Sequence, residues 1–248
     1  MAVNLLQNGL FILGREMIDF ASQTQGLVEA ISQRALSTGA HVAHEMTVAA
    51  DPLLEWLGYL RISELTGNCD ECLDGVRSLI LEGVCGASAG LYRSCLLSLR
   101  GQIDLALTWL FFKDHRIEWE RVVRENEGYR LKKDVLEYLK SYYPKFDRRF
   151  DILKAKRKRN FEDPYRVLSA HVHSVGSSTI PSLTDFSDIV SSEEVCLDCV
   201  KIQIDVSEYI SDILFSCFAS KWASLPPSIM SMMKQRVGED KIANLVDS

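Results

Sequence analysis

The run Asp163-Pro164-Tyr165-Arg166-Val167-Leu168-Ser169-Ala170-His171-Val172-His173 sets an arginine four intervening residues before a histidine, at what reads as a helix start. A guanidinium is a permanent cation whose planar donors suit a phosphate, and an imidazole titrates near neutrality and can move a proton. Together they suit chemistry on a phosphate ester. Asp163 and Pro164 make a good N-cap and first-turn pair, because the carboxylate can accept from free backbone N–H groups and proline lacks a donor not needed there. Arg166 then falls in the first turn, beside the positive end of the helix dipole, where an anion is welcome. His171 lies about 140° around the helix from Arg166, whereas His173 lies almost on the arginine's own face. Both histidines are therefore candidate proton carriers.

The surroundings extend the same chemistry. Lys154, Lys156, Arg157, Lys158 and Arg159 are the densest positive feature of a chain with net charge -6, and they end seven residues before Arg166, placed to deliver a polyanion such as RNA. Phe161 and Tyr165 offer stacking faces for bases, and Ser169 offers a hydrogen bond. Arg100 and Asp104 stand four apart on an apolar stretch and share a helix face, either as a plain ion pair or with Asp104 turned toward another cation. Cys69-x2-Cys72 and Cys196-x2-Cys199 have the form of a four-thiolate zinc site. Free cysteine is also a common small core residue, and Cys196 and Cys199 sit within an apolar-periodic segment, so no metal and no cofactor is expected. His41, His44 and Glu45 lack a convincing third ligand.

The elements that must carry these residues read as helices. Six prolines and 14 glycines punctuate 248 residues, and long segments repeat apolar residues three and four apart, which predicts an all-α helical bundle. Helices are expected near 4–37, 40–65, 70–84 and 88–113, the last being the most hydrophobic and so central. A polar helix through Trp119 and Val123 follows, then one near 132–143 stopped by Pro144, the motif helix, a loop at 174–182, a long helix from Ser191 or Ser192 to about Trp222, and a final helix near 228–245. The division expected is a helical extension over 1–66 and a bundle over 67–248. Seven cysteines without a cleavable apolar leader, and no stretch of 18 uncharged apolar residues, predict a cytoplasmic chain outside the membrane.

Ala89-Gly90-Leu91-Tyr92-Arg93-Ser94 followed by Arg100 and Asp104, together with the Tyr165–His173 segment, resembles the HEPN superfamily of prokaryotic ribonucleases over about residues 70–215. That resemblance implies a helical bundle that forms a homodimer, brings two copies of the motif into one cleft, and cleaves RNA without metal. It would make Arg166 the ligand of the scissile phosphate, His171 or His173 the proton carrier, and Asp104 the group that orients Arg166. The RNA's 2′-hydroxyl would be the nucleophile, giving a 2′,3′-cyclic phosphate and a 5′-hydroxyl. It further implies a toxin or antiphage effector restrained by a regulatory or antitoxin protein. Many members carry a polar residue directly after the motif arginine, where this chain has Val167. That departure supports the alternative of a catalytically silent interaction or regulatory subunit, and a structural zinc module is the second alternative.

Overall fold

The computed structural model describes residues 10–13, 16–128, 130–177 and 179–247, and its architecture is all-α with one small hairpin at the N-terminal edge. Strands β1 (Leu10–Leu13) and β2 (Glu16–Asp19) pair antiparallel, Leu10 opposite Asp19. The helix expected from residue 4 therefore begins only at Phe20. Asp19 accepts from the backbone N–H groups of Ala21 (3.0 Å) and Ser22 (3.3 Å), which satisfies the first-turn donors and fixes the start there. Residues 4–9 and 14–15 lie outside the described residues.

From there α1 (Phe20–Arg34) runs through a π turn (Ala35–Gly39) directly into α2 (Ala40–Ser63), without the break expected near residue 38. Helices α3 (Glu71–Ser88) and α4 (Tyr92–Phe112) form a tight antiparallel pair. Their turn depends on Gly90, whose φ of +82° is the left-handed region that favours glycine; a β-carbon there would also stand 2.7 Å from Val190 Cγ1. At Gly86 the absent side chain lets α4 approach, since a β-carbon would lie 3.2 Å from the backbone nitrogen of Cys95.

Helices α5 (Arg116–Glu125) and α6 (Lys132–Tyr142) follow as read, and α6 stops before Pro144. Helix α7 (Phe146–Ala155) was not expected: five charged residues dilute its apolar face of Phe146, Phe150 and Leu153. Then come the motif helix α8 (Pro164–Val172), a 3-10 turn (Phe186–Ile189), and the long α9 (Glu193–Phe218), capped by Ser192 Oγ accepting from Val195 N–H at 3.4 Å. A second 3-10 segment (Ala219–Ser224) ends that stretch. The final helix is two, α10 (Pro227–Val237) and α11 (Glu239–Asp247), because Gly238 takes a φ of +97° between them.

The expected boundary at 66/67 falls in the turn between α2 and α3, and one hydrophobic core crosses it. Trp56 of α2, Trp109 and Phe112 of α4, Phe146 of α7 and Phe215 of α9 are all fully buried in that core. α4 is, among the described residues, the one helix long and apolar enough to cross a membrane, yet 67% of that stretch is buried inside the bundle. It is the core helix.

α9 buries carboxylates as well as apolar groups, and these fix the chain that leads into α8. Asp212 and Arg159 have wholly inaccessible side chains; Arg159 Nη1 donates to Asp212 and, at 3.0 Å, to Glu208. Arg236 of α10 donates to Asp212 at 2.9 Å and to the carbonyls of Leu153 and Lys156 at 2.7 and 3.1 Å. Glu208 also accepts from the N–H of Lys158 (3.0 Å), and Asp205 accepts from those of Asn160 (2.9 Å) and Phe161 (3.0 Å). Arg159, expected to contact RNA, is thus a structural counter-ion. Charges taken from water cost several kcal/mol each unless compensated, and removal of one partner from such a cluster costs about 3–5 kcal/mol. Arg159→Met is expected to lower the unfolding free energy by about that amount in denaturant titration. A loss smaller than about 1 kcal/mol, the size typical of a surface pair, would show that the cluster does not hold the fold.

Candidate functional site

The motif helix is held against α4 by two arginines. Arg100 Nε donates to Ser169 Oγ at 2.9 Å, its Nη2 donates to the Tyr165 hydroxyl, and its carbon Cζ lies 3.7 Å from the Tyr165 ring centroid. Its Nη1 pairs with Asp104. Asp104 thus serves Arg100, not Arg166. The physical reason is adjacency: a cation one turn away on the same face already needs the carboxylate. Tyr165 and Ser169, expected to face RNA, are likewise engaged by Arg100. Lys132 stands 4.6 Å from the Tyr165 ring and pairs with Asp163. That pairing draws Asp163 away from the cap, so only its carbonyl serves the helix start, accepting from Arg166 N–H at 3.2 Å. Pro164 does occupy the first turn as expected.

Arg93 is the second arm. From the first turn of α4 it donates to the carbonyls of Thr179 (2.9 Å) and His171 (3.1 Å) and to Ser174 Oγ (3.4 Å), tying the end of α8 to the loop beyond it. Its role was missed; the signal available was a cation in the first turn of a mainly apolar helix with no acidic residue one turn away to pair it.

The histidines and Arg166 divide between two sides of α8. Leu168 is fully buried and sets the inner side. Arg166 and His173, within about 20° of each other by helical geometry, are both exposed, and the Arg166 side chain has no hydrogen-bond or ion-pair partner among the described residues. His171 is half-buried, its ring edge-on to Tyr92 with centroids 6.1 Å apart and planes at 84°. It borders a cavity of about 220 Å³ lined also by Tyr92, Arg93, Ser94, Ile180 and Asp188. Within one chain, Arg166 and His171 therefore do not meet.

Burial, and then the charge of Arg93, push the His171 imidazole below its ordinary value of 6.5. At neutral pH the ring is uncharged and can accept a proton. It retains that form in the fold above pH 6.5; as pH falls through and below that value, protonation favours the unfolded chain, so His171 contributes a loss of stability on the acid side.

The basic run is partly neutralised. Lys154 and Arg157 pair with Glu162, at 2.6 and 3.9 Å, and Arg159 is buried as described. Lys156 and Lys158 are exposed, with no side-chain partner among the described residues.

The two cysteine pairs do not assemble a four-thiolate site. Cys69 and Cys72 have their sulfurs 3.2 Å apart at the start of α3, whereas Cys199 of α9 is hydrogen-bonded to Cys95 of α4. Among the described residues no three His, Cys, Asp or Glu side chains cluster as metal ligands. The geometry gives the zinc-module reading no support.

Compared with known proteins, the chain matches no family model, no curated protein and no solved structure. Its functional reading rests on its own residues.

The environment of His171 has a direct readout. In a proton NMR titration its imidazole is expected to reach midpoint below pH 6.5, and Arg93→Gln is expected to raise that midpoint by removing the neighbouring charge. A midpoint unmoved or lowered by Arg93→Gln would contradict the assigned electrostatics.

Proposed function

We propose that this chain is a metal-independent endoribonuclease acting through the outward side of α8. The observation that carries the reading is the pairing, on one exposed helix side, of an arginine without a protein partner and a histidine, Arg166 and His173. Cleavage by the substrate's own 2′-hydroxyl asks the protein for a phosphate ligand and for proton transfer, and it leaves a 2′,3′-cyclic phosphate and a 5′-hydroxyl. Arg166 binds the scissile phosphate in this proposal. Lys156 and Lys158 supply the approach for the polyanion, and His171, uncharged at neutral pH, is the alternative base. Because Arg166 and His171 point apart within one chain, their joint use requires a homodimer in which α8 of the second copy completes the cleft. The HEPN resemblance supports that arrangement, and with it a toxin or antiphage role restrained by a regulatory partner.

A second reading, a catalytically silent interaction or regulatory subunit, is favoured by Val167 after the motif arginine and by the engagement of Tyr165 and Ser169 with Arg100. One experiment separates the two. Wild type, Arg166→Ala, His171→Ala and His173→Ala are incubated with total RNA in the presence of a metal chelator, and product ends are mapped. Cyclic-phosphate ends are expected from wild type, with loss in Arg166→Ala and a fall of about a hundredfold or more in one histidine variant. Cleavage surviving all three substitutions refutes the site, and no cleavage by any form selects the silent subunit.

A further inference from the structure

On the side of the bundle formed by α2, α9 and α10, a groove of about 330 Å³ opens to solvent. Each helix presents one stripe to it. α2 gives Val48, Ala49 and Pro52, α9 gives Val200 and Ile204, and α10 gives Met232. Val48 and Ile204 remain 50% and 48% exposed, so the apolar lining is not closed by the chain itself.

Its polar features are few and directional. Pro52 sits inside α2 and has no N–H to give the carbonyl of Val48, so that acceptor loses its helical donor beside the groove. Ser207 Oγ accepts from Gln203 at 3.0 Å, which leaves its own proton for another acceptor. Glu208 and Arg236 also line the groove, but their charges are consumed by Arg159 and Asp212. The charges left at the rim are Lys158 and Glu45. Lys158 is held at the Glu208 level through its backbone N–H. Glu45 lies toward the other end of the groove, seven residues and about 10 Å before Pro52 along α2.

We infer that this groove binds a small amphipathic monoanion, an apolar aryl or alkyl body on the Val48–Ile204–Met232 lining with one carboxylate-like group at the Lys158 ammonium. The volume suits a body of roughly 10–15 heavy atoms, within the range of small-molecule pockets. Glu45 repels a second negative group at the opposite end. This site shares Lys158 with the proposed RNA approach but includes neither Arg166 nor either histidine of α8; it does not rest on the ribonuclease reading, and its readout is binding rather than cleavage.

The test uses the full chain and 4-phenylbutyrate, an aryl-alkyl carboxylate, against its uncharged counterpart 4-phenylbutanol, titrated calorimetrically to millimolar concentration. Saturable one-to-one binding of phenylbutyrate is expected, about tenfold weaker in Lys158→Gln, with phenylbutanol unaffected by that change. Ile204→Trp, at a half-exposed position that tolerates a larger side chain, is expected to fill the groove and abolish both while thermal unfolding stays cooperative. No saturable binding by wild type, unchanged binding in Ile204→Trp, or equal affinity for acid and alcohol would each overturn the assignment.

Discussion

The structure hinges on the compensation of carboxylates buried along α9. A helix whose inner side carries Asp205, Glu208 and Asp212 cannot pack against an apolar core unless donors come to it. They come from three directions: the guanidinium of Arg159, the guanidinium of Arg236, and the backbone N–H groups of residues 158, 160 and 161. The segment between α7 and α8 is therefore held by α9 although it has no regular structure of its own. The start of α8, and so the position of Arg166, inherits its placement from charges more than 40 residues away in sequence.

A similar economy governs the other side of α8. Arg100 and Arg93, seven residues and two turns apart on α4, reach the beginning and the end of α8, and each uses several donors. The guanidinium's fixed fork makes this possible, since one side chain can bridge hydroxyls, carbonyls and a carboxylate together. What remains unclaimed on α8 is its outer side. Arg166 and His173 stay exposed there, while their neighbours Tyr165 and Ser169 are engaged in docking the helix.

Much of the fold was legible because apolar spacing is local. The presence of α2, α3, α4 and α6, the loop after His173, and the Ser192 cap all follow from periodicity, capping and proline. The junction of α3 and α4 was read four residues early, because the glycines at 83 and 86 lie inside α3, which runs on to Ser88 before α4 opens at Tyr92. Three things were not legible. α7 escaped because Arg149, buried and satisfied by the carbonyls of Leu245, Ser216 and Val246, reads in sequence as a surface residue. Arg159 was indistinguishable from the cations beside it, since its partners lie on a distant helix; the acidic residues 205, 208 and 212 at helical spacing within an apolar run were the signal that a buried cation must exist. That Arg166 and His173 share a side of α8 follows from helical angles, whereas their exposure does not; the engagement of Asp104 by Arg100 is the plain i,i+4 ion pair that the spacing also allowed.

The π turn at Ala35–Gly39 has a consequence for the His171 cavity. Such a turn carries one residue more than the α-helix on either side, so it offsets the angular phase of α1 relative to α2. That phase aims Gln23 at the 3-10 turn, where its amide donates to Asp185 at 2.6 Å and its carbonyl accepts from Phe186 N–H at 2.8 Å. Asp188 and Ile189 of the same turn wall the cavity. Chain length across five residues thus works as a vernier: one residue fewer would turn α1 by about 100° and swing Gln23 off the wall it braces.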